Sequence, residues 1–227
     1  MNLSSETLNI LKSFSTINSS IAFNIGSKIR TTSVSKNILA EVVVDEVFDR
    51  KFGVYDLNQF LTVLSMYKDG FDIEFGPVNA VITGMSGRSV TNYRLCDPEM
   101  VIKPDENNDI EMPDTEIQFE LTGDDLAWII RTASILGSPK IAVESKGDKI
   151  SLLLFDPKND AASVNTLDVG VGNGDEYQIV FGIEMFRLIS GSYDVKISSQ
   201  GIAHFKHKTV NLQYWMSTDK GSFYRKG

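Results

Sequence analysis

The residue types that most often carry catalysis or bind metal ions are scarce in this sequence. It holds one cysteine, Cys96, and two histidines, His204 and His207. The histidines lie three positions apart in a segment with strand-like alternation, so their side chains should point to opposite faces and cannot share a metal ion. Cys96 has no general base near it in the sequence, which favours a free thiol without a catalytic role. A single cysteine also forms no internal disulfide, as expected in a reducing cytosol.

Two further patterns resemble catalytic motifs only in part. The glycine-rich segment Gly170–Gly174 lacks the Lys-Ser/Thr ending and the following helix of a phosphate-binding loop, so we interpret it as a hairpin turn. The acidic pairs Asp45-Glu46 and Asp124-Asp125 are expected at turns or helix caps rather than in a catalytic constellation. We therefore predict no enzymatic activity, no metal site and no cofactor.

Length and composition indicate an ordinary folded protein of two domains. The chain has 227 residues, of which 42% are apolar and 23% charged. Domains typically span about 100–150 residues, so two are expected. No apolar run approaches the ~18 residues of a membrane-spanning helix, and the N-terminal segment lacks the basic and apolar regions of a signal peptide.

The net charge of −8 is concentrated in one short segment. Residues 97–118 hold eight acidic side chains, one basic side chain and three of the six prolines, whereas residues 1–96 hold nine of each sign. Proline and like-charge repulsion disfavour helices and central strands. We interpret 97–118 as an extended surface connector between a first domain, 1–96, and a second domain, 119–227. The alternative is a disordered loop inside one domain.

The two halves repeat one plan. IAFNIGSKI begins at Ile21 and IAVESKGDKI at Ile141; FDIEF begins at Phe71 and YDVKI at Tyr193. A stretch with helical periodicity precedes each segment, and the offset between halves varies only from 118 to 122 residues. Between these stretches, short runs alternate apolar and polar residues and end at turn signals, which is typical of antiparallel strands. The sequence therefore predicts an α+β fold of two similar domains, each with two helices on one side of antiparallel sheets.

Three of the four predicted helices place one basic residue in mid-helix on an outer face of mostly small, polar side chains. These residues are Lys12, Arg131 and Arg187, and Trp128 shares the face of Arg131. For any one helix, a solvated face is the simpler interpretation. Three together indicate an anionic partner contacted lightly, such as the phosphates of duplex DNA bound without reading sequence.

Four segments together resemble a known family. They are the N-terminal MNLSSETLNILKSFSTINSS, VYDLNQFLTVLS from Val54, CDP from Cys96 and EIQFELTGDDLAWIIR from Glu116. This sequence is similar along its whole length to the sliding clamps of T-even-type bacteriophages, the processivity factors of the phage replicative DNA polymerase. The resemblance implies a head-to-tail homotrimeric ring of two-domain subunits, with helices lining the hole.

The resemblance also implies which residues contact DNA. By position, Lys12 and Arg131 correspond to basic residues that face the hole, and Arg187 follows by the repeat. Lys28 and Arg30 are added as weaker candidates. The Trp128 side chain departs from the polar residue expected on that face.

The implied partners are double-stranded DNA, the phage DNA polymerase, an ATP-dependent clamp loader and phage late-transcription factors, in the cytoplasm of the infected host. A different class of function stays open beside the clamp: a duplicated, β-rich structural or interaction protein of a phage, with no nucleic-acid role.

A pocket for apolar tails of partner proteins is predicted near the last long strand. In VNLQYWMS, alternate residues form an inward face, so Trp215 should project outward and be exposed. The alternative is that Trp215 packs under a loop of its own chain. The resemblance favours the pocket, with Val34 and Leu39 beside Trp215 and with Ile110 and Met112 of the connector as a lid.

Overall fold

The protein is described by a computed structural model that covers residues 1–105, 110–145 and 147–227. The chain divides into two compact units, Met1–Glu106 and Asn107–Gly227. Each unit is built mainly of antiparallel strands, with helices packed on them. The predicted α+β class, with antiparallel sheets in two clamp-type domains, is confirmed.

The described residues of the first unit form two α-helices and seven strands, and the strands lie in two sheets. In chain order these are α1 (Ser5–Ile17), β1 (Ile21–Phe23), β2 (Gly26–Thr32), β3 (Ile38–Phe48), β4 (Phe52–Val54), α2 (Leu57–Ser65), β5 (Phe71–Phe75), β6 (Asn79–Gly84) and β7 (Val90–Arg94). The first four strands lie in the order β4-β1-β2-β3, and β5-β6-β7 form a separate sheet. A 3-10 turn follows at Pro98–Met100.

The helices begin where short polar side chains satisfy free backbone N–H groups. The side chain of Ser4 accepts a hydrogen bond from the Thr7 amide, and Asp56 does the same for Gln59 at the start of α2. Helix α1 buries Ile10, Leu11 and Phe14 against α2, β2 and β3. The burial of one face leaves the opposite face of α1 to solvent.

The core of the first unit contains a cluster of four phenylalanines from four different strands. Phe23 and Phe75 both stack on Phe52, with ring centroids 4.7 Å and 4.5 Å apart, and Phe48 meets the cluster at steeper angles. Aromatic rings packed in this way stabilise the fold beyond the contribution of the apolar area that they bury. It ties β5, from the second sheet of this unit, to β1, β3 and β4.

The described residues of the second unit form one α-helix and nine strands. They are β8 (Ile117–Leu121), α3 (Gly123–Leu136), β9 (Lys140–Ser145), β10 (Lys149–Phe155), β11 (Asn165–Val171), β12 (Glu176–Gly182), β13 (Tyr193–Ser198), β14 (Ile202–His207), β15 (Leu212–Ser217) and β16 (Phe223–Arg225). Five strands form a sheet in the order β11-β10-β9-β12-β16, and β15-β14-β13-β8 are paired in a second. Thr122 caps α3 by accepting from the Asp125 amide, as its capping-box pattern predicts.

The prediction of a fourth helix in IEMFRLIS, the stretch that begins at Ile183 and precedes Tyr193, is wrong. The segment instead forms a four-residue 3-10 turn, Ile183–Phe186, so the described residues hold three α-helices. Gly182 offers no capping side chain, and Arg187 has already left the helical region at ψ 52°. Because so short a segment has little to offset the cost of helix nucleation, burial of Met185 and Phe186 decides its conformation.

The predicted acidic connector lies partly within regular structure. Residues 106–109 of the segment 97–118 lie outside the described residues. At its start lies the 3-10 turn, and its last two residues, Ile117 and Gln118, are the first of β8 and pair with Ile197 and Lys196 of β13.

Candidate nucleic-acid interface

The exposed face of α1 is small and polar with one cation. Ser5, Asn9, Lys12 and Thr16 are exposed at a spacing of three or four residues, opposite the buried stripe, as predicted. Lys12 forms no ion pair with any described residue. Its ammonium group is therefore available to an anionic partner.

The exposed face of α3 carries a cation beside an aromatic ring. Arg131 is exposed and has no ion-pair partner within the described ranges, and Ser134 lies one turn further on. Trp128 is 52% exposed on this face, and Ile135 is 76% exposed. The sequence analysis did not identify Ile135 as part of this face, although its spacing of seven residues from Trp128 places both on one side of the helix.

Arg187 follows the 3-10 turn instead of lying in mid-helix, so the geometry predicted for it is corrected. It is exposed and lines a cavity of about 310 Å³ together with Ser134 and Ser138 at the end of α3. Glu184 lines the same cavity. Packing of the turn on α3 thus brings Arg187 to the C-terminal half of that helix.

Lys28 and Arg30 face a carboxylate of their own sheet. Arg30 lies directly opposite Glu41 in the pairing of β2 with β3, and its Nε and Nη2 both lie 2.6 Å from Glu41 Oε2. The Lys28 ammonium lies 3.6 Å from the same oxygen. The Arg30 side chain is only 12% exposed, whereas that of Lys28 is 50% exposed. Of the two side chains, that of Lys28 is therefore much the more accessible to solvent.

Trp215 is buried, and the prediction of an exposed indole is wrong. It is 8% exposed, lies opposite His204 in the pairing of β14 with β15, and stacks on that ring with centroids 5.0 Å apart. The indole packs within its own chain, on the ring of His204 in the neighbouring strand rather than under a loop. The indole N–H has no hydrogen-bond partner among the described residues. Burial lowers the pKa of His204, while a hydrogen bond with Gln213 opposes this.

The other four residues of the predicted partner pocket differ in exposure. Val34 is 70% exposed in the turn between β2 and β3, and Leu39 is half-buried at the start of β3. Ile110 and Met112 are half-buried. The first two residues belong to the first unit, and Ile110, Met112 and Trp215 belong to the second.

Comparison with known proteins identifies the family and the proteins that this chain resembles. Residues 4–96 match the family DNA polymerase processivity factor. The chain is 28% identical to the sliding clamp of Vibrio phage KVP40 over 223 residues, covering 96% of this chain and 99% of that protein. It is also 28% identical to the sliding clamp of Enterobacteria phage T4 over 226 residues, covering 96% and 98%. The chain is thus similar along almost its whole length to phage sliding clamps, and its first 96 residues contain the match to the processivity-factor family. The resemblance stated from the sequence is confirmed, and the function is that of a processivity factor of a phage DNA polymerase.

Solved structures support the clamp fold at low sequence identity. The proliferating cellular nuclear antigen of Entamoeba histolytica superposes with a TM-score of 0.69 at 13% identity, covering 93% of this chain and 94% of that one. The A. fulgidus antigen, solved with the C-terminal region of FEN-1 bound, superposes with a TM-score of 0.66 at 12% identity over 93% and 94%. At such identities, the likeness establishes the fold.

Each unit of this clamp has a sheet edge to which no strand is paired within that sheet. Strand β7 is an outer strand of the three-stranded sheet, and β11 is an outer strand of the five-stranded sheet. Both edges carry exposed valines, Val90 at the start of β7 and Val171 at the end of β11. Unpaired edges are pairing sites for another strand unless they are blocked.

Groups suited to metal binding do not assemble in the parts of the chain that the structure describes, where no three His, Cys, Asp or Glu residues cluster. The helices described there are also too short and too polar to cross a membrane. Sliding clamps, the proteins that this chain resembles, are non-enzymatic processivity factors.

Proposed function

We propose that three copies of this clamp form a head-to-tail ring that encircles duplex DNA and tethers the phage polymerase to its template. The observation that carries the proposal is the pair of helix faces on α1 and α3, one in each unit. The α1 face is small and polar and presents the cation Lys12, and the α3 face presents the cation Arg131 beside Trp128 and Ile135. Contacts of this kind hold phosphates without reading bases, which permits sliding.

The ring is supported by the two unpaired sheet edges. Because β7 belongs to the first unit and β11 to the second, pairing β7 of one copy with β11 of the next is heterologous, and such a contact closes into a ring if the rotation per copy allows. The strand pairs within each unit are antiparallel, so we propose an antiparallel pairing here as well. It would place Val90 of one copy near Val171 of the next.

Within the proposed hole, Lys12, Arg131 and Arg187 contact phosphates. Lys28 is a weaker candidate because Glu41 lies 3.6 Å from its ammonium group. Arg30 is the weakest, since its guanidinium lies 2.6 Å from Glu41 and is largely shielded from solvent. An arginine held in this way gives up a favourable pair before it can bind a phosphate.

The polymerase and the clamp loader are proposed to bind through short apolar tails. Val34, Leu39, Ile110 and Met112 remain the candidate contacts, with Val34 the most accessible of them. Trp215 is not proposed to touch the tail, because its ring is buried against His204. Titration of a synthetic polymerase C-terminal peptide against wild type and Val34→Asp tests this assignment. Equal affinities would place the tail elsewhere.

Other roles of the clamp follow from the same proposal. A closed ring must be opened to pass around DNA, and we assign this step and its ATP hydrolysis to the loader, leaving the clamp itself without enzymatic activity. Phage late-transcription factors are further proposed partners. All these encounters take place in the cytoplasm of the infected host.

One experiment separates this proposal from an interaction protein with no nucleic-acid role. Light scattering should give a mass near three times the 25.2 kDa of the chain at micromolar concentration. After incubation with loader, ATP and nicked circular DNA, the clamp should co-elute with the circle in gel filtration and be lost when the circle is linearised. A strictly monomeric mass, or equal retention on circle and linear DNA, would overturn the proposal.

A further inference from the structure

The exposed face of α3 carries a large aromatic side chain, Trp128, that packs on no other ring among the described residues. Trp128 is 52% exposed, and its indole makes no aromatic or cation–π contact with any residue in the described ranges. Ile135, two turns along the same face, is even more exposed. Isolated apolar side chains on surfaces are ordinary, but a tryptophan and an isoleucine on one helix face form a contact surface.

The charges around this ring favour an anionic ligand on its C-terminal side. Arg131 lies less than one turn beyond Trp128, on the same face and without an ion pair to a described residue. Arg187 lines the cavity of about 310 Å³ with Ser134, near the end of the helix. Two carboxylates are also present, Asp124 one turn before Trp128 and Glu184 in the cavity. The side of the ring toward Arg131 is therefore the cationic one.

An aromatic ring beside an arginine matches the two parts of a single-stranded nucleotide. A base has a flat face that stacks on indole, and its phosphate pairs with guanidinium. In duplex DNA the base faces are covered by neighbouring base pairs, so a ring on this face gains little from duplex. We infer that Trp128 stacks on an unpaired DNA base while Arg131 holds the adjoining phosphate, so that this clamp recognises single-stranded DNA, as at a primer–template junction. The inference rests on the proposed function, which brings DNA to the α3 face.

Tryptophan fluorescence tests this directly, because the chain has only two tryptophans and Trp215 is buried. Purified clamp is titrated at low salt with a 16-nucleotide oligo(dT) and, separately, with a blunt duplex of 16 base pairs. Stacking should quench the Trp128 emission with oligo(dT) and quench it much less with the duplex. Trp128→Phe should abolish the quenching and leave only the Trp215 signal. Trp128→Ala should raise the Kd for oligo(dT), followed by anisotropy of a labelled oligonucleotide, at least about fivefold.

Tyr55→Ala is the matched control, since Tyr55 is an exposed aromatic residue of the first unit outside the helix faces. It should leave both quenching and Kd unchanged. Equal quenching by oligo(dT) and duplex would overturn the inference, because base faces would then not be the ligand. Emission that responds to dilution of the protein but not to DNA would also overturn it, since Trp128 would then lie at a contact between copies.

Retention of the wild type on nicked circular DNA, measured in parallel, distinguishes the two hypotheses. If the clamp is retained on the circular DNA but oligo(dT) does not quench its emission, only the stacking inference is contradicted. Loss of retention would sink the proposed ring, and the fluorescence would then report a single-strand contact that needs no encirclement.

Discussion

Arg30 and Lys12 carry the same charge in different surroundings. Both stand on outer-facing positions of amphipathic elements, but Arg30 faces the carboxylate of Glu41 across two strands, and Lys12 faces solvent. A surface cation that is free of an internal partner releases counterions when it meets a phosphate, whereas a paired one first loses its partner. Residue type alone therefore does not tell which cation is the better candidate for binding phosphate. The neighbour across the strand pair does, because Glu41 already holds Arg30.

Reversing the charge of Lys12, Arg131 and Arg187 together should abolish clamp-dependent DNA extension. Each lost phosphate contact should also lower the slope of log K against log salt by about one unit. The triple glutamate variant is assayed with polymerase and loader on singly primed circular DNA, and its mass is measured to confirm that the oligomer is intact. Lys158→Glu, the same change on an exposed loop after β10, is the control. Unchanged extension by the triple variant would remove these residues from the DNA interface.

Trp215 should matter for folding rather than for direct contact with a partner. Because the ring is buried against His204, Trp215→Ala should lower the free energy of unfolding by about 3 kcal/mol, and Trp215→Phe by less. Urea denaturation followed by circular dichroism measures both. An alanine variant as stable as the wild type would show that the indole is not part of the packed core.

At the scale of elements, the start of α1 is held by a carboxylate from another element. Glu46 of β3 accepts hydrogen bonds from the Ser4 amide and from the Thr7 hydroxyl, the latter at 2.6 Å. Desolvation by itself would raise the pKa of Glu46, but these hydrogen bonds outweigh it and the pKa is lowered. An anion at this position also suits the positive end of the helix dipole.

This arrangement predicts that the free energy of unfolding decreases as the pH is lowered. Because the pKa of Glu46 is lower in the folded chain than in the unfolded one, its contribution is fully present above the unfolded value. It is lost as the pH falls below the ordinary value of 4.5 and through the lower pKa of the folded chain. The urea midpoint of Glu46→Gln should therefore fall less across this range of pH than that of the wild type. Glu176→Gln, which removes an exposed pair with Arg225, is the control. Parallel pH curves for wild type and Glu46→Gln would contradict the assignment.

The three helices and the failed fourth one differ in their ends. Ser4, Asp56 and Thr122 each supply a capping oxygen, and α1, α2 and α3 span between nine and fourteen residues. The segment from Ile183 starts after an uncapped glycine and returns to a strand by Tyr193. Helical periodicity over eight residues was therefore not enough to form a helix where no capping side chain begins it.

For the whole molecule, the proposed ring makes a prediction about charge pairs at the sheet edges. Antiparallel pairing of β7 with β11 of the next copy would bring Val90 and Val171 together. Val90→Lys with Val171→Lys should weaken the trimer at least about tenfold in dissociation constant, because like charges repel across strands. Val90→Lys with Val171→Glu should regain much of that loss.

Sedimentation velocity over a concentration series compares the two double variants. Ile25→Lys places the same charge on an exposed turn between β1 and β2 and should have no effect. If the lysine pair and the lysine–glutamate pair dissociate alike, these two edges do not meet in the assembly.

The sequence by itself determined the antiparallel strands, the three capped helices and the outward positions of Lys12 and Arg131. All of these depend on residues a few positions apart, where backbone geometry sets which side chains share a face. Only the tertiary structure decided that Arg30 is paired with Glu41, that Trp215 is covered, and that Arg187 lies on a turn beside α3. Those outcomes depend on strand register and on what packs over each face. Such contacts join residues distant in the chain, and their burial follows from the assembled core rather than from local spacing.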